Sequence, residues 1–134
     1  MSGQLGFKTF DSFDFFKDAV LQTIQIAQYQ IQFKFDTGAY ISVTSEAHHY
    51  DADTGKTNVF DANGTRKEIF SAQTVLGHKV TDVQVASDDE LMLTFDNGDA
   101  LTFVRRHNGY ESMTIGGGVN GPKGLIVLYA DPDK

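Results

Sequence analysis

The 134-residue chain contains no cysteine, which excludes disulfides, thiolate zinc sites and thiol nucleophiles together. No apolar stretch approaches the ~20 residues that a membrane-spanning helix requires. Met1 to Thr9 lacks the basic patch and apolar run of a secretory leader, so the expected location is cytoplasmic. Positive charge is scarce: 11 Lys and Arg stand against 18 Asp and Glu, a formal charge of −7. Such a surface repels phosphate backbones and disfavours nucleic acid, while it suits a basic protein partner. No low-complexity segment divides the chain, and the length suits one core, so a single domain over 1–134 is expected.

What the sequence does contain is an internal repeat. At an offset of 60 residues Ile31 meets Leu91, Phe33 meets Leu93 and Phe35-Asp36 meets Phe95-Asp96. Gly38 then meets Gly98, Ile41 meets Leu101, Val43 meets Phe103 and Tyr50 meets Tyr110. Each copy alternates apolar and polar residues, the mark of a strand with one buried face. Asn97-Gly98 is a two-residue hairpin signal in which both positions tolerate positive φ, and Thr37-Gly38 holds the same place.

A short helix is expected before each hairpin. Asp11 or Ser12 caps the first, with Phe13, Phe16 and Val20 on one face, and alternation resumes at Ile24 and Ile26. Thr65-Arg66-Lys67-Glu68 reads as a capping box for the second, continued by Ile69, Phe70, Gln73 and Leu76 and stopped by Gly77. Strand alternation returns at Val80, Val83 and Val85, and the step from Val80 to Val83 is out of period and marks a bulge. Strands at Tyr110–Ile115 and Leu125–Tyr129 follow, joined by a glycine-rich loop. Asp51–Lys56 and Asp61–Gly64 read as loops. The expected class is α+β: a mostly antiparallel sheet from two helix-strand-hairpin repeats related by a pseudo-twofold, about 11–50 and 65–110. C-terminal strands over about 110–130 complete it, with two short helices on one side.

Leu76-Gly77-His78-Lys79-Val80, Phe95-Asp96-Asn97-Gly98-Asp99 and Tyr110-Glu111-Ser112 form a familiar set, with Ile26–Ile31 running into Phe35-Asp36. Together they resemble a loose group of small, uncharacterised bacterial proteins with a Leu-Gly-x-x-Val strand, Asp-x-Gly hairpins and a Tyr-Glu-Ser strand. The resemblance implies an immunity-type protein that blocks a toxin by binding it, and assigns no catalytic residue.

Several short motifs imitate catalytic or ligand sites. Phe35-Asp36-Thr37-Gly38-Ala39 resembles the signature of retroviral-type aspartic proteases, whose chemistry needs two carboxylates sharing one proton. Asp96 holds the equivalent place in the second copy, yet both aspartates fit ordinary turns. Gly116-Gly117-Gly118-Val119-Asn120-Gly121 matches a dinucleotide loop in spacing, but a strand follows it where a helix N-terminus is needed. Gly55-Lys56-Thr57 lacks the first glycine of a phosphate loop. His48-His49-Tyr50-Asp51-Ala52-Asp53 offers ligand types, but adjacent histidines on a strand face opposite ways, so no metal is expected. Ser45, Ser71 and Ser112 lack an elbow signature, and Asn63-Gly64-Thr65 reads as a helix cap rather than a glycosylation site.

The leading expectation is a non-enzymatic binding domain, without cofactor, that occludes a basic toxin or enzyme. Its candidate acidic contacts are Asp88, Asp89, Glu90, Asp96 and Asp99. A second constellation follows the two hairpins: His48 and Tyr50 after the first, Arg105, Arg106 and Tyr110 after the second. It suits a small molecule or anion in a pocket between the repeats. Proteolysis by Asp36, paired with Asp96 in one chain or with Asp36 across a dimer, is the lesser alternative. Strand edges leave self-association open.

Overall fold

Alternating segments dominate the sequence, and the computed structural model is accordingly almost all β. It describes residues 7, 12–28, 30–61, 67–105, 111–121 and 125–129, with backbone alone for 67–70, 111–112, 120 and 125–129. Ten strands follow in order: β1 (Leu21–Ile26), β2 (Ile31–Phe35), β3 (Tyr40–Val43), β4 (Glu46–Asp51), β5 (Lys56–Asp61), β6 (Val80–Ser87), β7 (Glu90–Phe95), β8 (Ala100–Val104), β9 (Glu111–Gly116) and β10 (Leu125–Tyr129). They form two antiparallel five-stranded sheets, ordered β1-β2-β3-β9-β10 and β6-β7-β8-β4-β5. The two orders correspond strand for strand, except that each half of the chain lends its last hairpin to the other half's sheet. Ile41 of β3 lies opposite Ile115 of β9, and Leu101 of β8 lies opposite His49 of β4.

The apolar faces of both sheets meet in one hydrophobic cluster. Ile31, Phe33, Phe35, Ile41 and Val43 enter it from the first sheet, and Leu91, Leu93, Phe95, Leu101 and Phe103 from the second. Phe33 bridges them, its ring 5.2 Å from that of Phe103 and 6.3 Å from that of Phe60. Each of these buried side chains stabilises the fold by about 1.5–3 kcal/mol relative to exposure. Where the halves meet, Val20 and Lys79 form an antiparallel bridge, and Val80 N–H donates to the Ala19 carbonyl.

The expected helices are corrected to 3-10 segments, Asp14–Phe16 and Lys67–Val75, so the class is mostly β rather than α+β. Asp11 lies outside the described residues, while Ser12 Oγ accepts from the Asp14 N–H as a cap would. Val20 leaves the first segment for the bridge. In the second, three residues per turn stack Ala72 and Val75 inward and rotate Leu76 out to 39% exposure. Thr65 and Arg66 of the expected capping box, and the Ala62–Gly64 part of the expected loop, lie outside the described residues.

The hairpins form where expected but by a different turn. Phe35 accepts from Gly38 N–H and Phe95 from Gly98 N–H, and only the glycines take positive φ, +85° and +90°. Each is therefore a type I turn closed by a left-handed glycine, not a mirror-image two-residue turn. The bulge expected after Val80 is present between Val80 and Asp82, with a counterpart between Leu21 and Thr23. The stretch read as a loop at Asp51–Lys56 is the tight turn of a further hairpin, β4–β5, which ends at Asp61. Among the described residues no helix is long and apolar enough to cross a membrane.

Candidate functional site

The pleat of β4 sends two adjacent histidines in opposite directions. His49 points into the core and is fully buried, while His48 points to the outer face of the second sheet. Two separate arrangements result.

Inside, His49 Nε2 lies 2.8 Å from Asp99 Oδ2 and His49 Nδ1 lies 2.9 Å from Ser71 Oγ. Thr74 Oγ1 donates to Asp99 Oδ2 at 2.6 Å, and the Ala52 N–H donates to Asp99 Oδ1 at 2.9 Å. The 3-10 geometry makes this possible, because Ser71 and Thr74 are one turn apart on the same side. Burial opposes ionisation of Asp99, but the Thr74 hydroxyl, the Ala52 N–H, and the hydrogen bond and charge of His49 outweigh it. Its carboxyl is held below the ordinary 3.8. An ionised Asp99 is an acceptor only, so it takes a proton held on His49 Nε2, and Nδ1 is left to the Ser71 hydroxyl.

Ser71, His49 and Asp99 thus line up as a nucleophile, base and orienting acid would. No substrate held in the outer groove could reach them, since that groove lies across β4. The arrangement ties the 3-10 segment and the β4–β5 turn to the β7–β8 hairpin.

Outside, a shallow groove of about 490 Å³ runs across the second sheet. His48 and Tyr50 of β4, Thr57 of β5, Ala100 and Thr102 of β8, Glu90 and Met92 of β7 and Ala86 of β6 line it. Small Ala100 opposite Tyr50 leaves the floor low, and Tyr50 stands 41% exposed at its side. His48 Nε2 is hydrogen-bonded to the Glu46 carboxylate. An aromatic ring, a thioether and a carboxylate around an open floor can hold an apolar or cationic side chain by contact and charge.

The other expected site residues are dispersed. Asp88 is exposed, and Asp89 binds the buried guanidinium of Arg105, with Nη2 2.9 Å and Nε 3.1 Å from Oδ1. Arg105, expected in an anion pocket between the repeats, instead braces the open end of the β7–β8 hairpin. Asp96 is exposed and pairs with His78 Nδ1 at 2.7 Å. Asp99, 3% exposed, is corrected from a steering charge to a core acceptor. Arg106 and Tyr110 lie outside the described residues.

Asp36 accepts from the Val20 N–H at 3.0 Å, a partner of its own. Asp36 N–H bonds Val20, Asp96 N–H bonds Lys79, and Val20 bridges Lys79. Three lateral strand steps of about 4.8 Å put the backbones of the two aspartates about 14 Å apart. A shared proton needs carboxylates within ~3 Å, so this pair cannot act as an acid-protease dyad.

Gly118 begins a three-residue 3-10 turn, Gly118–Asn120, in the glycine-rich loop, too short to present a helix N-terminus to a phosphate. Among the described residues no three His, Asp or Glu side chains gather as metal ligands. Sequence reasoning missed Met92, Thr102 and Ala100, although the β7 and β8 alternation already placed them on the outer face. It also missed Ser71 and Thr74, whose role is set by a 3-10 period that the residues do not announce. Comparison of the chain with protein-family models, curated proteins and solved structures finds no match.

Proposed function

We propose that the chain is a non-catalytic protein-binding domain that presents the outer face of its second sheet to a basic partner. The observation that carries this is the open groove with Tyr50 at its side and Glu90 in its lining. A protruding lysine or arginine of the partner would lay its stem against Tyr50 and Met92 and its charge toward Glu90. Asp88 and the overall charge of −7 would steer the encounter. On this reading the domain is an immunity-type inhibitor that works by covering its target, in keeping with its resemblance to that group. The two halves are then copies related by a pseudo-twofold axis.

The alternative of an anion pocket between the repeats is less well supported, since Arg105 is already committed to Asp89. The test compares capture of partners from a lysate of the source cells by the wild-type chain, by Tyr50→Ala and by Glu90→Lys. One stoichiometric basic protein retained by the wild type, released by added salt and lost by both variants supports the proposal. Equal capture by all three overturns the assignment of this face.

A further inference from the structure

The longest uncharged run in the chain is Ala19–Phe33, fifteen residues between Asp18 and Lys34. It folds as β1, the turn after it and the start of β2, and β1 is an edge of the first sheet. Of the four edges, β10 is also uncharged, but it is bulged before Tyr129 and its sequence is flanked closely by Pro122-Lys123 and Asp131-Pro132. Edge strand β6 carries Asp82, runs into Asp88 and Asp89, and is bulged twice. Edge strand β5 has the Lys67–Val75 segment packed against it. β1 is covered at its start, where Leu21 exchanges backbone bonds with Gly77 and His78, has one bulge just after it, and is regular from Thr23 to Ile26, with no charge and no proline. Charges, prolines and bulges are the usual guards against edge pairing, and this stretch has none of them.

The ladder phase says which groups face outward. Ala27 N–H donates to the Gln30 carbonyl, so Thr23, Gln25 and Ala27 direct their backbone groups to β2. Ile24 and Ile26 then direct theirs to the open side. Ile26 is 42% exposed, and Ile24 packs partly against the core on the same face.

We propose that β1 pairs antiparallel with β1 of a second copy, joining two first sheets into one across a twofold axis at Gln25. In that register Ile24 of each copy exchanges both backbone bonds with Ile26 of the other, and the exposed Ile26 side chain is covered by the opposite Ile24. A second copy is the occupant that the charge pattern favours. Chains of charge −7 repel wherever their acids meet, and β1 brings none. A basic partner, in contrast, gains nothing from an uncharged strand. One strand pairing buries less than a standard interface, so the dissociation constant should be on the order of 10–100 μM. This inference does not depend on the groove.

Sedimentation velocity of the full chain from about 1 to 200 μM tests it, alongside amide exchange at both ends of that range. The expected result is a monomer–dimer equilibrium with slowed exchange at Ile24 and Ile26 at high concentration. Gln25→Lys sets two lysines against each other on the axis and should weaken dimerisation at least about tenfold. Tyr50→Ala should leave it unchanged. A wild-type chain that stays monomeric throughout overturns the proposal, as does a dimer that Tyr50→Ala disrupts or whose formation leaves Ile24 and Ile26 exchange unaltered. The exchange readout needs no variant, so a misfolded Gln25→Lys would not blunt the test.

Discussion

At the tip of the first sheet backbone closes on backbone; at the tip of the second a carboxylate closes the same joint. In both, the turn of a lent hairpin packs against the β2–β3 or β7–β8 hairpin. Around Thr37-Gly38-Ala39 the approach is so close that a Cβ on Gly118 would sit 2.4 Å from the Ala39 nitrogen and 2.5 Å from the Thr37 oxygen. Around Asn97-Gly98-Asp99 the joint is made by a side chain, the Asp99 carboxylate accepting from the Ala52 N–H. Ala39 and Asp99 are equivalent by the 60-residue offset, and the pairing registers make Ile115 and His49 equivalent. One architecture therefore tolerates a dry joint and a polar one, provided that each polar atom in the polar joint has its partner.

The largest expected effect comes from breaking the polar joint on one side only. Asp99→Ala leaves His49 Nε2 and the Ala52 N–H without their acceptor, while Thr74 keeps the Ser71 carbonyl, and should cost about 3–5 kcal/mol in urea unfolding. Importing the other joint, by combining Asp99→Ala with His49→Ile, removes both sides of the main pair and should recover at least about half of that loss. Recovery of nothing would mean that the two joints are not interchangeable.

The same carboxylate gives the comparison a pH signature. Its folded value lies below the ordinary 3.8, so its contribution is complete above that value and is lost as pH falls through the lowered one. Stability of the wild type should therefore drop in acid below about pH 4, with a visibly shallower drop in the double variant.

The dry joint is sharpened by Gly118→Ala, which meets backbone at a φ of +68° and should cost about 2–3 kcal/mol. Gly98→Ala meets only the Ala52 Cβ, at 3.1 Å, and should cost about 1 kcal/mol. The smallest contrast is at the halves' shared bridge. Asp36→Ala removes an acceptor from a backbone N–H and should cost about 1 kcal/mol, whereas Asp96→Ala breaks an exposed pair and should cost less than about 0.5 kcal/mol.

Much of the scaffold is legible in the sequence. The offset of 60, the two glycine hairpins, the bulge after Val80 and both C-terminal strands all follow from period-two alternation and turn chemistry. The β4–β5 hairpin was not legible, because Asp51–Lys56 is rich in turn residues and its flanks are polar on the outer face. The lending of hairpins was also hidden, since antiparallel pairing leaves no local mark of which strand is chosen. Asp96 and Asp99 look alike in sequence, three residues apart in one turn, yet one is wet and the other buried. The alignment did hold the clue: Asp99 falls on Ala39, a small residue placed inward. For the site, parity along β4 correctly separated His48 from His49, while Met92 and Thr102 required the sheet to be assembled before they could be seen to share a floor.

The lent hairpins also bear on what half of this chain could be. A fragment ending after β5 would carry β3 and β4 with their long edges open, and a fragment beginning before β6 would carry the complementary pair. Neither half-molecule can finish a sheet by itself, and each supplies the strands that the other needs. Cutting the connection between them should yield two pieces that fold only when mixed, so the protein is a natural substrate for a split reporter whose signal depends on reassembly.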